Sequence, residues 1–426
     1  MRHFNILVFP GGSEIGLEIQ KSLSHCKDIS LFSVGLDTPN HAPFVFRHHF
    51  NIPSIREPGW IDRLNEIIDD HDIDYIYPAY DDVLLALIQN TDLLRAECIA
   101  SPLVTCEITR SKRKTYEHLK GIIPIPDLYT LPIADPAFPL FIKPDIGQGS
   151  QGALRINTSD ELKSALRNDP TGVIMAYLPG EEVTVDCFSD RDRGLLFAQG
   201  RRRTRMKSGI AMANQPIVDE QFRAIAAKIA SRLEMHGAWF FQLKRDANGE
   251  FKLLEVAPRI AGTMALHRVM GINFPLLSIY EKARIPFSIM LNPGHVAIER
   301  ALVNRYATDY AYQSVYVDLD DTLILRDRVN LMLIRFLYQC VNEQIPIRLI
   351  TRHRGNLAET LRKYRLEGLF DQIIHLGEHE SKSDFILEPD AIFIDDSFSE
   401  RAEVHRARGI RTFDCSMIEL FLNERA

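Results

Sequence analysis

The sequence has no closely spaced cysteines. Its six (Cys26, Cys98, Cys106, Cys187, Cys340 and Cys415) are scattered over 426 residues, with no CxxC pair and no zinc-ligand spacing. That scatter suits a reducing compartment, where most thiols are structural or inert. No stretch approaches the roughly 20 apolar residues that a membrane span needs. The apolar run in "MRHFNILVFPGG" is too short for a signal sequence and breaks on Gly11 and Gly12. Positive charge is not in excess: 50 Lys and Arg stand against 57 Asp and Glu, a formal net charge of −7, which gives no general reason to expect nucleic acid as partner. Internal repeats and low-complexity segments are absent. A cytoplasmic globular protein with no membrane partner is expected, and its length calls for two or three domains.

Three blocks emerge, at about 1–106, 107–305 and 314–426, with "ALVNRYATDYAYQ" supplying a linker near 306–313. "FNILVF" reads as a buried strand, and "PGGSEIGLEIQKSLS" as a glycine turn opening a helix, the start of a doubly wound parallel α/β sheet. The turn departs from GxGxxG because Ser13 stands where the second glycine should be, so a plain strand-to-helix turn is expected. From residue 107 the texture becomes α+β, with short strands and tight turns. "WFFQLKRDANGEFKLLEVAPRI" reads as a hairpin turning at Asp246 to Gly249.

Two pieces of the middle block carry chemistry. In "FIKPDIGQGSQGALRI" Lys143 ends a strand and is followed by Gly147, Gly149, Ser150 and Gly152. Such a stretch either closes backbone N–H groups on an anion or is merely a mobile turn. In the hairpin, Gln242 and Glu255 are expected on one face of facing strands, diagonal to each other. A glutamate on that apolar face binds a hard cation or pairs with Arg259 or Lys244.

In this order the pieces resemble the ATP-grasp superfamily over roughly residues 1–305. The resemblance implies a carboxylate–amine ligase that spends ATP and magnesium (or manganese) to make an acyl phosphate, releasing ADP. It assigns Lys112 and Lys143 to the phosphates and Gly147 to Gly152 to the loop that covers them. "MAYLPGEE" matches the adenine hinge, with backbone groups of Ala176 and Leu178 at the ring edge and Glu182 at the ribose. Gln242 and Glu255 match metal positions, and Arg259 matches the arginine that steadies phosphate and acyl phosphate. Ala257 stands where the signature usually has a metal-binding Asn, and Met175 where many members have a polar hinge residue. Both departures motivate an alternative, a nucleotide-binding regulatory or scaffolding protein with a degraded ligase site. The basic run "GRRRTRMKSG" is a solvated face, a nucleic-acid patch or, by its position, a place where Arg203 and Arg205 bind an anionic substrate. His267 is a further candidate for that pocket, or a core or surface histidine.

The last block opens on "SVYVDLDDTL". A buried strand delivering Asp318 and Asp320 two residues apart puts both carboxylates on one face. Paired acids there are a turn, a metal site or a phosphoryl-transfer nucleophile. Three further pieces follow: a strand ending in Thr351, then Lys382, then a strand ending in Asp395 and Asp396. This order resembles the haloacid dehalogenase superfamily over about 315–426. The resemblance implies that Asp318 attacks phosphorus, Asp320 serves as acid and base, and Thr351 and Lys382 hold the phosphoryl oxygens. Asp395, with Asp318, Asp320 and Asp396, would bind magnesium. Gaps of about 28 and about 30 residues between the motifs leave no room for a cap domain, so the site should be open. The expected whole is a bifunctional ligase and phosphohydrolase. Its partners are small-molecule carboxylate and amine substrates and a phosphorylated metabolite, and a homodimer would be in keeping with such ligases.

Overall fold

The computed structural model describes all residues except 1, 134–135, 148–150, 208–209, 293 and 426, and the side chain of Ile210. The candidate residues Gly149 and Ser150 lie outside the described residues. The chain separates into two compact units, Met1–Leu302 with Arg425–Ala426, and Val303–Glu424. Residues 301–312 carry no helix or strand.

The first unit begins with β1 (Phe4–Phe9), β2 (Ile29–Gly35), β3 (His48–Asn51), β4 (Tyr75–Pro78) and β5 (Glu97–Cys98), paired in parallel in the order β3-β2-β1-β4-β5. β1 shows why both faces must be covered. Ile6 and Val8 pack with Ile19 and Leu23 of the helix Glu14–Leu23, whereas Leu7 and Phe9 pack with Trp60, Leu64 and Ile67 of the helix Trp60–Asp70. Alternation along a strand buried on both sides gives a continuous apolar run. Ser13 caps the first helix, its Oγ accepting from the Gly16 N–H at 2.9 Å, so the glycine turn serves as a strand-to-helix turn.

Next come β6 (Leu128–Tyr129), β7 (Leu140–Lys143), β8 (Leu154–Ile156) and β9 (Val173–Ala176), an antiparallel sheet in the order β6-β9-β7-β8. A larger antiparallel sheet follows, from β10 (Glu182–Asp190), β11 (Gly194–Lys207), β12 (Ile210–Ile217), β13 (Gly237–Arg245), β14 (Phe251–Ala257) and β15 (Ile298–Glu299), in the order β14-β13-β10-β11-β12-β15. One face is apolar: Val183, Val185, Trp239, Phe241, Leu243 and Leu253 share a core with Phe222 and Tyr116. Thr184 pairs with both Arg201 and Gln242, so the opposite face is polar across several strands.

A bulge decides what β14 contributes to that polar face. Leu243 pairs with Leu253, but Gln242 pairs with Glu255, leaving Leu254 as the extra residue. In an unbroken ladder Glu255 would share a face with Leu253, inside the core. The extra residue turns it onto the polar face. Gln242 and Glu255 are therefore directly opposite rather than diagonal.

The second unit has a parallel sheet of β16 (Ser314–Val317), β19 (Ile347–Thr351), β20 (Gln372–His375), β21 (Ala391–Ile394) and β22 (Arg411–Phe413), in the order β20-β19-β16-β21-β22. A small hairpin, β17 (Ile324–Leu325) with β18 (Arg328–Val329), follows β16. Val315 and Val317 pack on one face with Leu333 and Phe336, and Tyr316 packs on the other with Ile350 and Val404. The stretches between Thr322 and Thr351 and between Thr351 and Lys382 are occupied by that hairpin, the helices Leu331–Asn342 and Leu357–Lys363, and sheet strands. Among the described residues no helix is long and apolar enough to cross a membrane.

Candidate functional site

Two adjoining cavities open onto the polar face of the large sheet in the first unit. One is lined by Phe141, Met175, Tyr177, Leu178 and Leu254 together with Lys143, Glu182 and Lys244. The other is lined by Glu14, Asp81, Arg110, Arg201, Arg259 and Arg300, among others. Lys112, Gly147, Arg203, Gln242 and Glu255 line both. The first is an apolar slot with charged residues along part of its lining, and the second is rich in arginine.

Each cation reaches this place for a local reason. Lys112 begins the helix Lys112–Leu119, capped by Ser111, and its Nζ donates to the carbonyls of Asp145 at 3.2 Å and Gly147 at 3.1 Å. Lys143 ends β7 with its Nζ donating to the Tyr116 hydroxyl at 2.7 Å and the Leu254 carbonyl at 2.9 Å. That carbonyl belongs to the bulged residue, so the irregularity that turns Glu255 also positions an acceptor for Lys143. Burial pushes the Lys143 ammonium down to about 7, although Glu255 opposes the change. Burial also lowers Lys112. Arg203 is ion-paired with Glu182, and its Nη1 lies 3.5 Å from Gln242 Oε1. Arg259 forms a two-pronged pair with Asp81, Nε to Oδ1 at 2.7 Å and Nη2 to Oδ2 at 2.5 Å, with its guanidinium over the Phe240 ring.

Several expected residues stand elsewhere. Arg205 lines neither cavity: β11 is irregular on both sides of it, and it pairs with Glu299 while remaining half exposed. The two irregularities break the alternation that would have put Arg201, Arg203 and Arg205 on one face. Arg201, not anticipated from the sequence, is 2% exposed and lines the second cavity, held by Asp186 and Asn214. Strand periodicity counted back from Arg203 was the signal for it. His267 is fully buried and lines neither cavity; its Nδ1 meets Asp186 Oδ2 at 2.9 Å. The N–H of Ala176 donates to the Asp127 carbonyl at 2.9 Å, and Ala176 does not line the first cavity, to which this stretch contributes Met175, Tyr177 and Leu178. Gly152 lies outside both linings, with a positive φ of 71°. Ala257 is buried in the lining of the second cavity and offers no side-chain oxygen.

A third pocket lies in the second unit, at the C-terminal ends of β16, β19 and β21. Lys382 Nζ donates to Asp318 Oδ1 and Asp395 Oδ2, both at 2.6 Å, and all three groups are buried. Burial pushes the Asp318 carboxyl up to about 7; Lys382 opposes this and Asp395 adds to it. One carboxylate oxygen from each of Asp318, Asp395 and Asp396 lies within 4.8 Å of the others, a donor set suited to a hard divalent cation. Thr351 Oγ1 is buried in this lining without a hydrogen-bond partner among the described residues. Asp320 does not join the carboxylate cluster. Its carboxylate faces His353, whose Nδ1 is 2.9 Å from both oxygens.

Residues 168–287 match the family described as "ATP-grasp in the biosynthetic pathway with Ter operon". No curated protein matches the sequence. Among solved structures, the chain is similar to the biotin carboxylase domain of Hydrogenobacter thermophilus 2-oxoglutarate carboxylase, in complex with MgADP, ADP and bicarbonate. The TM-score is 0.57 at 14% identity, over 70% of this chain and 74% of that one. It is also similar to an L-amino acid ligase from Bacillus licheniformis (TM-score 0.54, 20% identity, 68% and 76% covered). A third is N5-carboxyaminoimidazole synthetase from Staphylococcus aureus with ADP (TM-score 0.55, 14% identity, 68% and 81% covered). With the family match and this sheet arrangement together, the chain carries an ATP-grasp domain.

Proposed function

We propose that the first unit is an ATP-dependent carboxylate–amine ligase and the second a magnesium-dependent phosphohydrolase. The observation that carries the ligase reading is the set of five residues common to the two cavities. A nucleotide in the apolar slot directs its terminal phosphate toward Lys112, Arg203, Gln242 and Glu255, where an acceptor carboxylate from the arginine-rich side meets it. Glu255 and Gln242 supply oxygens for magnesium, which when bound neutralises phosphate charge. Lys112 and Lys143 do the same from the protein side, and Arg259, fixed by Asp81, faces the acyl phosphate. The acceptor carboxylate oxygen takes the terminal phosphoryl group as the bond to ADP breaks. An amine then displaces phosphate from the acyl carbon and loses a proton, giving the amide. The likeness to the Bacillus licheniformis L-amino acid ligase is in keeping with amide formation.

In the second unit Asp318 attacks the phosphorus of a phosphomonoester and Asp320 gives a proton to the departing oxygen. Water, losing a proton to Asp320, then attacks the phosphorus and releases phosphate from Asp318. Asp318, Asp395 and Asp396 would hold magnesium, which screens the phosphate from the clustered carboxylates. The unpartnered Thr351 hydroxyl is suited to a phosphoryl oxygen. Domain limits near residues 106 and 305, with a capless last block, belong to the same reading.

One observation favours a second reading, a nucleotide-binding regulator: Ala257 removes a ligand oxygen from the ligase site. An Asp318→Asn variant, silent as a phosphatase, separates the two readings. Supplied with ATP, magnesium and pooled amino, hydroxy and uronic acids, it should yield ADP together with a new amide mass. ATP bound but unspent across every pool would favour the regulator.

A further inference from the structure

We propose that His353 is a positioning residue for Asp320 in the phosphohydrolase site. The inference rests on the phosphohydrolase reading of the second unit and adds to it a residue to which the motif reading gave no role.

Asp320 stands on the loop after β16, and its side chain is half exposed at the mouth of an open pocket. A carboxylate there, left to itself, divides its time among rotamers and water contacts. Proton transfer to a departing oxygen needs it at one place, within hydrogen-bond reach. Its companions Asp318 and Asp395 are fixed by Lys382, but Lys382 does not reach Asp320. The group that does is His353, two residues past Thr351, with Nδ1 2.9 Å from each Asp320 oxygen.

The imidazole is held on its far side, and the His353 backbone is held as well. Its Nε2 lies 2.9 Å from the Thr360 hydroxyl, on the helix Leu357–Lys363, and its own backbone carbonyl accepts from His375 Nε2 at 2.8 Å. With Asp320 ionised, Nδ1 carries the hydrogen and donates it; the Nε2 of the neutral ring then accepts from Thr360. The His353 side chain is only 15% exposed, so the ring is a fixed object against which a mobile carboxylate is aligned. Orientation of this kind is supplied before the reaction and is lost with the fixing group, even when the reacting carboxylate remains.

Two substitutions separate alignment from mere packing. His353→Asn keeps a donor near the place of Nδ1, whereas His353→Leu keeps bulk without a donor. Each is assayed beside the full-length wild type with magnesium on p-nitrophenyl phosphate, phenyl phosphate and glycerol phosphate, a series of increasingly poor leaving groups. For the Leu variant, kcat on glycerol phosphate should fall by about 100-fold, the lower end of what a positioned acid–base group contributes. The fall on p-nitrophenyl phosphate should be smaller, because that leaving group needs no proton, and KM should hold throughout. The Asn variant should recover most of the loss. A Leu variant with an unchanged leaving-group dependence, beside an active wild type, overturns the inference alone. A wild type inert on all three substrates, with no phosphate trapped on Asp318, overturns the phosphohydrolase reading and this inference with it.

Discussion

The ammonium of Lys143 lies 2.9 Å from the carbonyl oxygen of Leu254, the one residue that the β13–β14 ladder leaves over. Its other partner is the hydroxyl of Tyr116, a fully buried side chain. Both hydrogen-bond partners are neutral; negative charge reaches this cation from Glu255 first and then from Glu182 and Asp145, and burial outweighs them.

Proton uptake on nucleotide binding follows. Burial lowers Lys143 to about 7 from the usual 10.5, so above pH 7 the empty site holds it mostly neutral. Phosphate oxygens favour the charged form and raise the value again on binding. A group whose value rises on binding takes up a proton, so nucleotide affinity should fall as pH rises above about 7. Titration calorimetry at pH 8 in buffers of different ionisation enthalpy should show this uptake, and Lys143→Met should abolish it. An unchanged heat balance in that variant would assign the proton elsewhere.

Glu255 and Lys244 face the same cavity but should differ in consequence. Removing the carboxylate in Glu255→Ala would take away the principal oxygen donor proposed for magnesium beside Lys112 and Lys143. ADP formation should drop by at least about 100-fold, the scale seen when a preorganised electrostatic group is lost. Lys244→Ala removes a cation that only approaches Glu182 at 3.9 Å, and should cost no more than about threefold. Coupled-enzyme ADP assays on both variants check the contrast.

Arg201 and Arg205 offer a second contrast. Arg201→Met should raise the acceptor KM, because its guanidinium lines the arginine-rich cavity. Arg205→Ala should leave that KM unchanged, since the residue pairs with Glu299 outside both cavities. Equal effects of the two substitutions would mean that the basic run acts as a diffuse patch rather than through one fixed residue.

Asp186 carries a stability prediction. Complete burial pushes its carboxyl up, but the charge of Arg201 and the contact from His267 hold it below its ordinary value. Asp186→Ala would strand a buried guanidinium, at a cost of about 3–5 kcal/mol. The midpoint of urea unfolding, followed by the fluorescence of the buried Trp60 and Trp239, should fall accordingly. A combined Asp186→Ala, Arg201→Met change should recover part of the loss.

Lys143 at its strand end and Gln242 in the hairpin were legible in local pattern, Lys112 came from the family resemblance, and Glu255 reaches the cavities only because the ladder slips by one residue. Three features were not legible there. The Leu254 bulge depends on which residue the partner strand excludes, and the turn at Asp246 to Gly249 carries no record of it. The departure of Arg205 needs two irregularities in β11 that alternation cannot foresee. The approach of His353 to Asp320 joins two strand-end loops, and sequence order says nothing about the distance between their tips. In each case the information lies in long-range register, whereas motif reading sees local spacing.

The shared border of the two cavities has a consequence for inhibition. Nucleotide and acceptor would occupy separate rooms that meet at Lys112, Gly147, Arg203, Gln242 and Glu255. A single compound joining an adenosine group to an acceptor analogue through a non-transferable phosphoryl mimic would cross that border. Its second half would then bind at the high effective concentration set by a short tether, so its affinity should far exceed that of either half alone.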